Sequence, residues 1–403
     1  MKKFSLLNNE NPHENKIIFL IALFSTLKCY PQWITLNSGT TENLNSISFS
    51  DAVNGWAVGS NNTALQTLDG GNIWNLNVVG NTANYYGVSF VSLGDGHIVG
   101  DDTIDHMTNT GGIFWFNQSV PTTETLYGVM FRNVLSGWEV GANGTIIRTI
   151  NQGNLWTLGN SGVTETLYSV YFIDLFNGWV VGTDGIILHS TDRGGTWFSQ
   201  PSGVTSTLRS IFFSTLDSGW ACGYNGKILF TANGGLNWNQ QNSGTTADLY
   251  GVCFTNSLQG WAVGNNGIII STTNGGASWN FENSGTTQNL HACSFVSASD
   301  GWAAGDSGTI LKYSPLSSSF EIRSTNTLLL FPNPASDYIH IRSAAQEISS
   351  LEIINSSGEV LLSKNIKGNE SKISLSTFSQ GSYFAKVFYH SGDYLIKPIL
   401  ISH

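Results

Sequence analysis

Aromatic and small apolar residues recur along this chain at a spacing that never slips. Trp33, Trp74, Trp115, Trp156, Trp197, Trp238 and Trp279 follow one another at 41 residues. A second series, offset by 23, runs Trp56, His97, Trp138, Trp179, Trp220, Trp261 and Trp302. All 13 tryptophans belong to these two series, and His97 fills the one gap. Between them lie short hydrophobic runs such as "LYGVCF" (249–254) and "GWAVG" (260–264), then an adjacent apolar pair such as Ile146-Ile147 or Ile187-Leu188. Short runs bounded by Gly-bearing turns predict β-strands, and apolar side chains on both faces predict a sheet covered on both sides. Each unit therefore reads as four strands. The first carries Phe49, Phe90, Phe131, Phe172, Phe213, Phe254 or Phe295, the second is the Gly-bracketed "GWAVG" run, and the fourth begins at a Trp of the first series.

Seven such units predict an all-β chain folded as a seven-bladed β-propeller over 32–315. The phase adds a detail. Trp33 precedes any first strand, while the last unit ends near Tyr313 without its own Trp, Phe320 standing at that spacing. The simplest closure lends the N-terminal strand to the last blade and removes a free sheet edge. After a linker at 316–327 the pattern becomes plain alternation around turns, "LLLFPNPASDYIHI" onward, which predicts a small antiparallel β-sandwich at 328–403. Ahead of the repeats, Lys2, Lys3 and Lys16 precede the apolar run "IIFLIALFSTL" (17–27). That run suits a signal peptide over 1–31 and is too short to span a bilayer, so no membrane span is expected in the mature form.

The turn before each fourth strand has its own spelling, as in "STDRGGTW" (190–197). Five residues before the Trp stand Asp69, Thr110, Asn151, Asp192, Asn233 and Asn274; Gly always stands three before. A catalytic or metal-binding carboxylate does not exchange freely with Asn or Thr. A turn that needs one side-chain oxygen as acceptor does, so the motif reads as architecture.

Charge narrows the function. Between Trp33 and Pro315 there are 18 acidic and 6 basic side chains, a balance of −12. Such a surface repels a polyanion and excludes nucleic acid as a partner. Of the four cysteines, Cys29 lies in the expected signal peptide; the remaining Cys222, Cys253 and Cys293, odd in number and irregular in spacing, read as free core thiols rather than a disulfide framework. Nothing in the composition calls for a cofactor.

"SxDxGxxW" resembles the Asp box of sialidase-type propellers, and the fuller unit "LYGVCF…GWAVGNNGIIISTTNGGASW" is similar to the photosystem II stability/assembly-factor family. That resemblance covers about 280 residues and implies a propeller that acts by binding, with no chemistry of its own. The basic patches of the photosynthetic members have no counterpart here, so their role is not expected to carry over. The tail, through Phe331-Pro332-Asn333-Pro334, Asn355 to Gly358, Gly381-Ser382-Tyr383-Phe384 and the Lys397 segment, resembles the C-terminal sorting domain of the type IX secretion system. It implies the type IX machinery as a partner, transfer across the outer membrane, and a secreted or surface location.

Candidate sites follow from the departures between copies. Asn45, Tyr86, Tyr127, Tyr168, Arg209, Tyr250 and His291 share one position in the first strands. Tyr86, Tyr127, Tyr168, Arg209, Tyr250 and His291, set around one channel mouth, would stack on a sugar or grip a peptide, so a protein or glycan ligand is expected there; the alternative is packing between blades. Glu42, Glu124 and Glu165 share a loop position where paired carboxylates would serve a glycoside hydrolase. A sialidase also needs an arginine cluster, and Arg148 and Arg193 occupy repeat positions different from that of Arg209. The second unit departs most. His97, Asp101, Asp102, Asp105 and His106 there carry the donors of a metal site, set against the simpler reading of a degenerate blade.

Overall fold

A computed structural model describes residues 32–80, 83–101, 104–314, 328–343, 347–355, 359–390 and 394–402. The expected signal peptide and linker, together with Phe320 and Asp102, lie outside these residues. The chain divides into two compact units, Met1–Leu316 and Ser317–His403.

Each 41-residue unit forms one antiparallel four-stranded sheet with its strands in chain order, and seven such sheets make the ring. Blades 1 to 6 begin at Leu44, Tyr85, Leu126, Leu167, Leu208 and Leu249. Blade 7 begins at Leu290 and borrows its outer strand from the other end of the chain. Gln32–Leu36 pairs with Ile310–Ser314, with Trp33 opposite Tyr313, as the phase of the repeat predicts. Trp33 is 4% exposed, and its indole N–H donates to Glu282 of blade 6 at 2.6 Å.

What fixes one blade against the next is an aromatic stack. The second-strand Trp of one blade lies flat on the first-strand Phe of the following one: Trp138 on Phe172, Trp179 on Phe213 and Trp302 on Phe49 have ring centroids 3.5–3.6 Å apart. The fourth-strand Trp of the Phe's own blade then meets the Phe edge-on, Trp197 to Phe172 at 5.8 Å and 86°. Behind the Phe the backbone must be bare. A Cβ built on Gly178 would fall inside the Phe172 ring, and the same holds at Gly55, Gly96, Gly137, Gly219, Gly260 and Gly301. Hence the first Gly of every "GWAVG" run.

The turns behave as acceptors. Asp192 Oδ1 takes the Ser190 hydroxyl at 2.8 Å and the backbone N–H of Thr196 at 2.9 Å. Asn274 does the same for Thr272 and Ser278, each at 2.9 Å, and Thr110 accepts the Phe114 N–H at 2.9 Å. Four of the six turns also reach sideways. The indole N–H groups of Trp138, Trp179, Trp220 and Trp302 donate to turn carbonyls of the next blade, at Arg193, Gly234, Gly275 and Gly70.

The second unit is a sandwich of a three-stranded and a four-stranded antiparallel sheet. Ile339, Ile341 and Ile373 from one sheet pack with Leu351, Ile353, Val387 and Ile399 from the other.

One correction concerns the cysteines. Cys222 is free and buried, but Cys253 and Cys293 form a disulfide, their Cα atoms 6.5 Å apart. A separation of 40 is one short of the repeat, so the two thiols lie on the first strands of adjacent blades, which pack side by side. Linear spacing conceals that proximity.

Two predictions follow from the ring. Trp33→Ala should cost about 3–5 kcal/mol, the loss expected of a truncated core aromatic, in guanidinium unfolding monitored by fluorescence; a loss under about 1 kcal/mol would show that the borrowed strand does not hold the seam. At the blade 4 turn, slight burial opposes ionisation of Asp192, but hydrogen bonds from Thr196, Ser190 and Gly195 prevail and bring its carboxyl to about 2. Its folded value thus lies below the unfolded one of about 3.9. The stability it contributes is present above that value and lost as pH falls toward 2. Asp192→Asn should unfold less readily between pH 4 and 2 than at present while costing under about 1 kcal/mol at pH 7, whereas Asp192→Ala should cost about 1–2 kcal/mol. Equal losses for both would refute the acceptor role.

Candidate functional site

In every blade the ladder between first and second strands slips by one residue. Leu126 pairs with Gly141 and Gly128 with Val140, which leaves Tyr127 out of register. The same bulge sets aside Asn45, Tyr86, Tyr168, Arg209, Tyr250 and His291. An extra residue in one strand bends it and re-aims the side chain. The second Gly of "GWAVG" makes room for the bend, since a Cβ on Gly141 would strike the Thr125 carbonyl.

These seven side chains, one from each blade, line a single cavity of about 190 Å³. The six non-Asn members are half-buried and touch in sequence. Ring centroids lie 5.1 Å apart for Tyr86 and Tyr127, 5.4 Å for Tyr127 and Tyr168, and 5.3 Å for Tyr250 and His291. Arg209 bridges the gap, its guanidinium 4.0 Å from the centre of the Tyr168 ring and 5.8 Å from that of Tyr250. Behind them Gly87, Gly128, Ser169, Ser210 and Gly251 keep the cavity open; a Cβ on Gly128 would stand 2.7 Å from the Tyr168 carbonyl oxygen.

The electrostatics favour neutral phenols. Burial, then the Asp101 charge, pushes the Tyr86 hydroxyl up to about 12. Burial likewise raises Tyr127 and Tyr250. All three remain donors at neutral pH. Tyr250 donates to Asn265 at 2.8 Å, and His291 Nε2 lies 2.7 Å from Asp306 Oδ1.

The rim carboxylates are occupied elsewhere. Glu42 accepts from Asn61 at 2.7 Å and Glu124 from Asn143 at 2.8 Å, each tying a crossing loop to a turn of its own blade. Glu165 accepts the Thr164 N–H at 2.9 Å. None of the three lines the central cavity. Arg148 donates to the turn carbonyls of Asp192 and Arg193, and Arg193 itself lies over Phe176, so neither joins Arg209.

The second-blade set is divided by the strand itself. Adjacent residues point to opposite faces. His106 therefore packs toward blade 1, its ring 6.0 Å from Tyr85 and beside Gly80, while Asp105 faces blade 3. Asp101 turns to Asn84 at 2.8 Å. Among the described members of the set only His97 and Asp105 meet, Nδ1 to Oδ1 at 3.1 Å, and His97 keeps the place of the missing Trp by stacking on Phe131 at 3.8 Å. A residue the sequence reading passed over completes the group. Glu139 of "GWEVG" is fully buried beside them, and burial, then the Asp105 charge, pushes its carboxyl well above the usual range. Its signal was present: Ala, Ile or Val fills this position in the other six copies.

The comparisons agree with the ring and the tail. The family model for the photosynthesis system II assembly factor YCF48 matches residues 26–116, 107–203, 199–281 and 242–314. The model for the secretion system C-terminal sorting domain matches 329–402. A solved structure described as YCF48 bound to D1 peptide is 21% identical, with a TM-score of 0.61 over 70% of this chain and 96% of its own. YCF48 from Cyanidioschyzon merolae is 20% identical, with a TM-score of 0.60 over 70% and 98%. The WD40 β-propeller domain of Doa1 is 13% identical, with a TM-score of 0.57 over 72% and 99%. No curated protein matches the chain in sequence. The sorting domain marks the chain for type IX secretion and a place outside the outer membrane. With most of its length matched, the chain belongs to the YCF48 assembly-factor family and joins that propeller to a secretion sorting tail.

Proposed function

We propose that this protein works outside the outer membrane as a binding module that catalyses nothing, taking a segment of another polypeptide at the mouth of its central cavity. The observation that carries this reading is the bulge ring: six large side chains, held out of the sheet ladders, half-buried and in contact one after another around one opening. Exposed aromatic faces and a guanidinium held between tyrosines suit contact with peptide groups and side chains. The cavity of about 190 Å³ is smaller than the roughly 300–1,000 Å³ of a drug-sized ligand pocket, so it admits a side chain or a chain end while the rest of the partner lies on the rim. Asp101, Asp248 and Asp306, close enough to the ring to raise its tyrosines, favour a partner with basic character. A YCF48 relative whose description includes a bound D1 peptide supports a polypeptide over a sugar as the kind of occupant.

Two measurements test this. If the ring serves recognition, Tyr127→Ala and Tyr168→Ala should each lower stability by only about 1 kcal/mol, the scale of one aromatic pair, in thermal and denaturant melts. Losses of about 3–5 kcal/mol would make them inter-blade wedges. The full chain should also select peptides from a displayed random library, enriched in Lys or Arg, and the Tyr127→Ala/Tyr168→Ala double variant should lose them. Retention by the double variant, or binding on a glycan array with no peptide selected, would overturn the reading.

A further inference from the structure

At six of the seven blade interfaces, one third-strand side chain meets one second-strand side chain of the next blade, and both are apolar. The pairs are Ala64 with Ile98, Ile146 with Val180, Ile187 with Ala221, Ile228 with Ala262, Ile269 with Ala303, and Ile310 with Ala57. At the interface of blades 2 and 3 the same two positions hold Asp105 and Glu139. The Trp that caps the other interfaces is His97 there. Three polar replacements, from two blades, thus converge on one point.

That point is dry. Asp105 is 1% exposed and Glu139 is 0% exposed. Both Glu139 oxygens and Asp105 Oδ2 have no hydrogen-bond partner among the described residues. No Lys or Arg forms an ion pair with either carboxylate among those residues. Buried charges persist in proteins when they are paired or coordinate a metal. Here one imidazole nitrogen and one oxygen from each carboxylate lie within 4.8 Å of one another.

We infer that His97, Asp105 and Glu139 form a structural site for a divalent first-row transition metal that joins blade 2 to blade 3. An imidazole with two carboxylates is a donor set for zinc or its neighbours, and two negative charges balance one divalent ion. The 3.1 Å between His97 Nδ1 and Asp105 Oδ1 is a separation that two ligands take when each lies about 2 Å from one ion. These three ligands, with a second oxygen from either carboxylate in the fourth place, would make a four-coordinate site. Enclosure by two packed blades keeps a substrate away from the ion, so it acts as a clamp whose binding stabilises the folded ring. This site is separate from the channel mouth and stands or falls independently of it.

The test uses the full chain, stripped with a chelator and titrated with Co²⁺ as a visible probe, then with Zn²⁺. One equivalent of Co²⁺ should bind with a d–d band, Zn²⁺ should displace it, and the melting temperature of the stripped protein should rise on adding Zn²⁺. Asp105→Ile/Glu139→Ala, which copies the Ile187 and Ala221 pair, should show neither the band nor the thermal response. Because that variant changes core packing, Glu139→Gln provides a second check: it keeps the shape and should weaken Zn²⁺ binding more than about tenfold, the loss that even an outer-shell partner gives. A wild-type protein without a stoichiometric Co²⁺ band, or a band that survives in either variant at full affinity, overturns the assignment.

Discussion

The ring depends on one repeated contact, an indole lying flat on a phenyl whose other side rests on a bare glycine. Blades in a propeller share few backbone hydrogen bonds, so their mutual angle must come from side chains. The stack supplies it. Trp fixes the distance between two sheets, Phe lies against the backbone because glycine leaves it bare, and a second Trp closes the edge. Burying each Trp removes about 150–250 Å² from water, worth roughly 4–6 kcal/mol before entropy. Small chains of hydrogen bonds refine it, such as the backbone N–H of Phe131 and of Phe90 donating to Ser89 and Ser48 of the neighbouring first strands.

Other chemistry accompanies the stack at the seam and at the interface of blades 2 and 3. The ring's seam joins the two ends of the propeller segment, and Trp33 meets Phe295 edge-on at 5.8 Å while its N–H holds Glu282. Near the same seam the disulfide between Cys253 and Cys293 ties blade 6 to blade 7, a bond suited to the oxidising surroundings of an exported protein. At the interface of blades 2 and 3 the smaller His97 ring covers less of Phe131 than an indole does, and the polar group beside it replaces an apolar pair.

Most of the architecture was legible because the repeat is strict. The two Trp series set the number of blades, the Phe position marked the first strands, and the phase of Trp33 disclosed the shared blade. Exchange of Asp, Asn and Thr in the turns correctly identified an acceptor. What escaped notice shares one cause: linear reading ranks neighbours by sequence distance. Asp105 and His106 looked like one site, yet a strand sends them to different blades. Cys253 and Cys293 looked unrelated, although a shift of one repeat brings first strands together. Glu139 was hidden inside a motif whose other positions were all as expected. For the channel position, the sequence revealed which residues vary together in place, but not the slipped register that sets them apart from the ladder.

That slipped register has a consequence for how such a protein changes over time. A residue outside the ladder makes no cross-strand pair, and its backbone neighbours are fixed by Leu, or Tyr85 in blade 2, on one side and a small residue on the other. Seven positions around the opening can therefore accept new side chains while the stacks that hold the blades go on unaltered. The present occupants, four tyrosines, an arginine, a histidine and an asparagine, are one setting of a seven-place combination. Selection can reset it one blade at a time without refolding the ring.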